Sequence, residues 1–140
     1  MPIIGFDSLC NDRAKIIVSQ DKGQTRKHIA HNHSSAKVSH YRVDGVIIKQ
    51  GNKCDYLLLN NDKRTAYFIE LKGSDLVWAA KQIEATQQIL QKDLEAYSKE
   101  YRIVASRCKT QEIESAEFKK YRFKWKKKLK YKTECLEENI

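Results

Sequence analysis

Three short apolar runs follow one another in the middle of the chain: Val43–Ile48, Cys54–Leu59 and Arg64–Leu71. The residues between them, Gln50-Gly51-Asn52 and Asn60-Asn61-Asp62, are those of tight turns. The third run is rich in aromatic and β-branched residues, which suit a pleated, half-buried surface. The pattern predicts an antiparallel β-meander. Gly73-Ser74-Asp75 then breaks the strand, with Ser74 as the expected helix cap and Asp75 in the positive first turn. Beyond it, Leu76, Ala79, Ala80, Ile83, Thr86, Leu90, Leu94 and Tyr97 recur at helical spacing. Lys81, Glu84, Gln88, Gln91, Lys92 and Glu95 fall on the opposite face, so a long amphipathic helix is expected. A further strand is expected at Tyr101–Ser106.

The two ends follow other patterns. Asp7 or Ser8 could cap a helix through Leu9, Arg13, Ile17 and Gln20, which Asp21-Lys22-Gly23 would end. A short second helix fits about Gln24–His31, and His31–Ser35 reads as a loop. Near the C-terminus, Tyr121, Phe123, Trp125, Leu129, Tyr131 and Thr133 occupy odd positions and six basic residues the even ones. Period two predicts a basic β-ribbon over 119–133, with Phe123 and Trp125 turned to the core.

Charge sharpens the picture at that end. Nine Lys or Arg and no acid lie between Lys119 and Lys132, which accounts for the whole net charge of +9. A concentrated basic stripe suits a polyanion, most often nucleic acid. Arg122, Lys124, Lys126, Lys128 and Lys130 are the expected phosphate contacts. The plain alternative is an edge strand protected by lysine. With 140 residues, one proline and neither linker nor repeat, the chain 1–140 reads as a single domain.

Chemistry concentrates in the meander. Asp55 opens its second strand, while Glu70 and Lys72 close its third as Glu70-Leu71-Lys72. Alternation places Glu70 and Lys72 on one face. Pairing across the Asn60–Asp62 turn would bring Asp55 beside Glu70. Two adjacent carboxylates repel, which raises their pKa values, and a divalent cation relieves that repulsion. Glu117-Phe118-Lys119 repeats the E-x-K spacing in a charged stretch with no apolar strand before it, so the spacing is informative only in its context.

Cys54-Asp55, a strand and a turn, then Ile69-Glu70-Leu71-Lys72-Gly73, resembles the PD-(D/E)xK nuclease superfamily, which includes many type II restriction endonucleases and Holliday-junction resolvases. The resemblance covers about residues 41–106. It implies an α/β fold with a restriction-endonuclease-like mixed sheet flanked by helices, and Mg²⁺- or Mn²⁺-dependent hydrolysis of phosphodiesters in DNA. It further implies that Asp55, Glu70 and the Leu71 carbonyl hold the metal and that Lys72 acts on the attacking water. Gln82 resembles a helix glutamine of some branches. Cys54 replaces the family's proline, and no glutamate precedes Glu70, so the first-helix carboxylate is vacant or supplied by Asp44, Asp7 or Asp12, of which Asp44 is best placed.

Other chemistries are weaker. His28, His31, His33 and His40 could hold Zn²⁺ or Ni²⁺, although loop histidines without ligand roles are far commoner. The four cysteines form no C-x-x-C pair and read as free thiols. No apolar run is long enough for a membrane span, and Met1–Asp7 has no signal-peptide pattern, so no membrane contact and a cytoplasmic location are expected. Cutting both strands of a duplex needs two such sites, which makes a homodimer the expected assembly. The alternative is a non-catalytic nucleic-acid-binding or interaction module on the same fold.

Overall fold

The structure, a computed structural model, describes residues 3–140. Eight strands and three helices run in the order β1 Ile16–Gln20, β2 Lys27–His31, β3 Val38–Arg42, β4 Tyr56–Asn60, β5 Thr65–Lys72, α1 Leu76–Ile89, β6 Ser98–Ala105, α2 Thr110–Ile113, α3 Ala116–Trp125, β7 Leu129–Thr133 and β8 Cys135–Asn139. They build one mixed α/β domain with two mixed sheets. The larger has the order β3-β4-β5-β6-β7, with its first two pairings antiparallel and its last two parallel. The smaller has the order β1-β2-β8, antiparallel then parallel. No helix among the described residues is long and apolar enough to cross a membrane.

The larger sheet is covered on both faces, which explains the unbroken burial of β4. Leu57, Leu59, Ala66, Phe68 and Ile103 point to α1 and α3, where they meet Leu76, Ala79, Ala80, Ile83 and Phe118. Leu58, Tyr67, Ile69, Leu71 and Val104 point the other way, to Ile17, Ala30, Leu136 and Ile140 of the smaller sheet and its C-terminal end. Thus Ala66 and Phe68 share the helix side of β5, and strand parity carries Glu70 and Lys72 onto the same side.

The central elements match the expected order, with shifts at their ends. The first strand of the meander is Val38–Arg42, not Val43–Ile48. Val43–Ile48 is instead a tight excursion, closed by the Val43–Ile48 backbone bond at 3.0 Å and turned at Gly45, whose φ is +82°. Asp75, rather than Ser74, caps α1: its Oδ1 accepts from the Trp78 N–H at 2.8 Å. The helix stops at Ile89, and the expected apolar face continues through turns to buried Leu90 and Leu94.

Both ends of the chain differ from their sequence patterns. No helix forms over 7–31. β1 and β2 make a hairpin there, because Ile16-Ile17-Val18 is a β-branched run and β2 finds its second partner in β8, more than 100 residues away. In the proposed basic ribbon 119–133, only Leu129–Thr133 is a strand. Residues 116–125 are helical: the Ser115 Oγ accepts from the Phe118 N–H, Glu117 lies in the first turn, and Arg122 and Lys124 lie in the last. Phe118 and Trp125, seven apart, form its buried stripe, and Trp125 stacks on Tyr101 at 4.1 Å between ring centroids. Phe123 faces out, contrary to the alternation.

Candidate active site at the end of the central strands

The β4–β5 register pairs Tyr56 with Ile69, and its next step brings Asp55 opposite Glu70. The ladder is prolonged by two backbone bonds, from the Asp55 N–H to the Ile69 carbonyl at 3.1 Å and from the Val43 N–H to the Asp55 carbonyl at 2.9 Å. The Asp55 carboxylate turns back on the neighbouring strand, where its Oδ2 accepts from the Leu71 N–H at 2.8 Å. Glu70 is buried, and its Oε1 has no hydrogen-bond partner among the described residues. Lys72 follows on the same side and is half-buried.

The helix holds this segment from behind. The Thr86 Oγ1 accepts from the Cys54 N–H at 2.7 Å, and the Gln82 Oε1 accepts from the Lys53 N–H at 3.0 Å. Two side chains one turn apart on α1 therefore satisfy consecutive backbone donors just before Asp55. Gln82 takes a positioning place, and Thr86, anticipated only as a core-face residue, shares it. At the other side, the Gly73 carbonyl accepts from the Ser106 N–H at 2.6 Å, tying the end of β5 to the end of β6.

The electrostatics concentrate on the two carboxylates. Burial, reinforced by the charge of Asp55, pushes the Glu70 carboxyl up to about 9, and the Lys72 ammonium only partly opposes this. Burial likewise raises Asp55 to about 6, against the Leu71 N–H bond that favours its ionised form. Asp44 and Asp21 add to both shifts. Asp44 lies 3.7 Å from the Lys53 Nζ. Asp21, just after β1, pairs with Arg42 at 2.8 Å. Asp21, expected at a helix end, instead follows a strand whose end is held at the meander by Arg42 and by the Tyr56 hydroxyl, which donates to the Gln20 carbonyl at 3.0 Å. Asp7 and Asp12 are exposed, and the Asp12 carbonyl accepts from the Val38 N–H.

A donor set of two carboxylates plus backbone and solvent oxygens suits Mg²⁺. The orphaned Glu70 oxygen beside Asp55 fits such a group. No three His, Cys, Asp or Glu side chains converge as a metal site among the described residues. Three histidines bond to different partners, buried His28 to Glu138 at 2.6 Å, His40 to Ser19 at 2.9 Å, and His31 to Glu137, while the His33 ring stacks on His31 at 5.7 Å between centroids.

The basic residues stand apart from the carboxylates. β5, β6 and β7 are parallel, and β7 begins opposite Tyr101, which pairs with Phe68, four residues before Lys72. At 3.3 Å per residue that is about 13 Å. Arg122, Lys124, Lys126 and Lys128 precede β7 and so gather toward the far end, whereas Lys130 lies on β7 itself, 3.5 Å from Glu138. No protein-family model matches the chain, and neither a curated protein nor a solved structure shows significant similarity to it.

Proposed function

We propose that this protein is a divalent-metal-dependent nuclease that hydrolyses phosphodiester bonds of DNA, on a restriction-endonuclease-like arrangement of the PD-(D/E)xK type. The observation that carries the reading is the buried, unpartnered Glu70 oxygen opposite Asp55, with Lys72 two residues on. Burying two adjacent carboxylates without a compensating cation is costly, and a fold that gains nothing from them would replace them. The order of three antiparallel strands, a capped helix and a parallel strand also supports it.

Asp55 and Glu70, with the Leu71 carbonyl, would hold Mg²⁺ or Mn²⁺; Asp44 is near enough to add its charge. The ion supplies Lewis acidity and charge neutralisation at a phosphodiester. The Leu71 N–H fixes the Asp55 carboxylate, so its orientation is set before substrate arrives. Lys72 orients the attacking water or takes its proton as the water oxygen bonds to phosphorus and the bond to the leaving oxygen breaks. Gln82 and Thr86 keep the Asp55 segment on the sheet. Two protomers, each with one such site, would cut both strands of a duplex; light scattering with and without DNA tests that assembly. The free thiols of all four cysteines suit the reducing cytoplasm.

A second reading is a non-catalytic nucleic-acid-binding module, favoured by the separation of the basic end of α3 from the carboxylates. Labelled linear, circular, single-stranded and branched DNA, incubated with Mg²⁺, Mn²⁺ or EDTA, separates the two. Metal-dependent cutting that is lost in Asp55→Asn and Lys72→Met supports the nuclease. Salt-sensitive binding without cutting supports the module.

A further inference from the structure

Phe123 is the most exposed aromatic side chain among the described residues, at 79%. It projects from the last turn of α3 between two shallow concavities of about 660 Å³ each, one floored by Leu129 and Tyr131, the other by Tyr121. Both volumes are within the range of small-molecule sites. Lys119, Arg122, Lys124 and Lys126 edge them, with Glu114 in the first and Glu84 in the second. The Lys126 Nζ stands 5.8 Å from the centre of the Phe123 ring.

The charges here are only partly spent within the protein. Lys124 pairs with Glu84, and Lys119 and Arg122 with Glu114. Lys126, Lys127 and Lys128 form no ion pair among the described residues, although they are consecutive in a 3-10 turn. Lys126 also has φ 51° and ψ −126°, a conformation that glycine adopts without penalty and lysine does not. An exposed ring, flanking aromatic floors and unpaired lysines at a strained turn are the parts of a stacking platform in a positive groove.

We propose that the Phe123–Lys128 end of α3 is a second nucleic-acid site, remote from the carboxylate pair, that holds an unpaired strand with a base stacked on Phe123 and phosphates on the lysines. This deepens the proposed function by naming a single-stranded region as part of what the protein grips. A duplex hides its base faces and offers Phe123 nothing to stack on. An anionic membrane would call for a row of apolar side chains, whereas Phe123 is alone: its neighbours Tyr121 and Arg122 are half-buried and Lys124 is charged.

The test is fluorescence anisotropy of labelled oligothymidylate and of a duplex of equal length, titrated with the full chain in EDTA. Oligothymidylate binds more tightly than duplex. Phe123→Ala weakens oligothymidylate binding on the order of tenfold and duplex binding much less, while Phe123→Trp restores it. Removing two phosphate contacts in Lys126→Gln/Lys127→Gln lowers the slope of log affinity against log salt by about 1.4. Circular dichroism of Phe123→Ala matches wild type, since the ring supports no core. Equal affinities of Phe123→Ala and wild type for oligothymidylate, or equal losses on both DNAs, would overturn the proposal. So would binding to phosphatidylserine vesicles with none to oligothymidylate. These titrations need no turnover, so a failure to cleave would count against the carboxylate site and not against this one.

Discussion

The Leu71 N–H donates to the Asp55 Oδ2 at 2.8 Å, and that bond joins the two halves of the candidate site. It runs from the Glu70–Leu71 peptide, just before Lys72, across to the Asp55 carboxylate beside the neighbouring strand. Anything that moves Asp55, just before β4, therefore also disturbs the β5 segment that carries Glu70 and Lys72.

Glu70→Gln is expected to stabilise the metal-free protein. Glu70 is 3% exposed and its carboxyl is raised to about 9, so at pH 8 folding must protonate it, a cost that an amide of nearly equal volume does not carry. At pH 8 in EDTA the gain is on the order of a few kcal/mol, read as a higher midpoint of thermal unfolding. Mg²⁺ raises the wild-type midpoint and leaves that of the variant where it was.

The clamp from α1 is expected to act on turnover more than on affinity. Gln82→Ala frees the Lys53 N–H, which is near solvent, and loosens the segment before Asp55. kcat falls while KM is held. Thr86→Val leaves the buried Cys54 N–H without an acceptor and costs about 1–3 kcal/mol of stability by denaturant unfolding.

Acid sensitivity resides in two groups outside the carboxylate pair, buried His40 and Glu138, whose side chain is 8% exposed. Burial, with the nearby His28, lowers His40 from 6.5 to about 4. The folded state thus prefers neutral His40, and its contribution is full above 6.5 and lost as pH falls toward 4. Burial alone would raise Glu138, but hydrogen bonds and charge from His28 and Arg102 outweigh it and bring the carboxyl to about 2. Its contribution is present above 4.5 and lost as pH falls toward 2. Asp55 and Glu70, raised to about 6 and about 9, act in the opposite sense and gain stability as pH falls, so they offset the His40 leg, and the thermal midpoint should decline most clearly below about 4, along the Glu138 leg. Glu138→Gln lowers the curve and flattens the leg below 4.5; a variant that falls in parallel with wild type contradicts this assignment.

Lys126→Gly trades affinity for stability. Relief of the disfavoured backbone, less the entropy of a glycine in the unfolded chain, gives a net gain of about 1 kcal/mol. The same change removes one cation from the proposed single-strand site. Unfolding and anisotropy titrations on the one variant should move in opposite directions.

Much of the candidate site was legible in the sequence because it is local. A strand period of two and a short turn at Asn60–Asp62 leave little choice about which residues of β4 and β5 meet, and Asp55 follows from Tyr56 by one step. The α1 face was legible for the same reason. What escaped depends on distant partners. Ile16–Gln20 matches a helical spacing as well as a strand, and only β8, from the other end of the chain, makes the hairpin's inner strand a central one. Over Tyr121–Trp125, a few aromatic and basic residues alternate by coincidence, whereas the Ser115 cap and the Phe118–Trp125 stripe carry the helix. The helical spacing over 9–20 masks Asp21, and the alternation over 121–125 masks the solvent-facing Phe123.

Cleavage of one circular DNA by wild type and Glu70→Gln, purified in parallel and assayed in Mg²⁺ and in EDTA, tests the central claim most directly. The account predicts nicking or linearisation by wild type in Mg²⁺, none in EDTA, and at least a hundredfold loss in the variant, corresponding to about 2.7 kcal/mol of transition-state stabilisation. Cutting by Glu70→Gln at the wild-type rate would contradict it, because the buried carboxylate would then have no part in the chemistry.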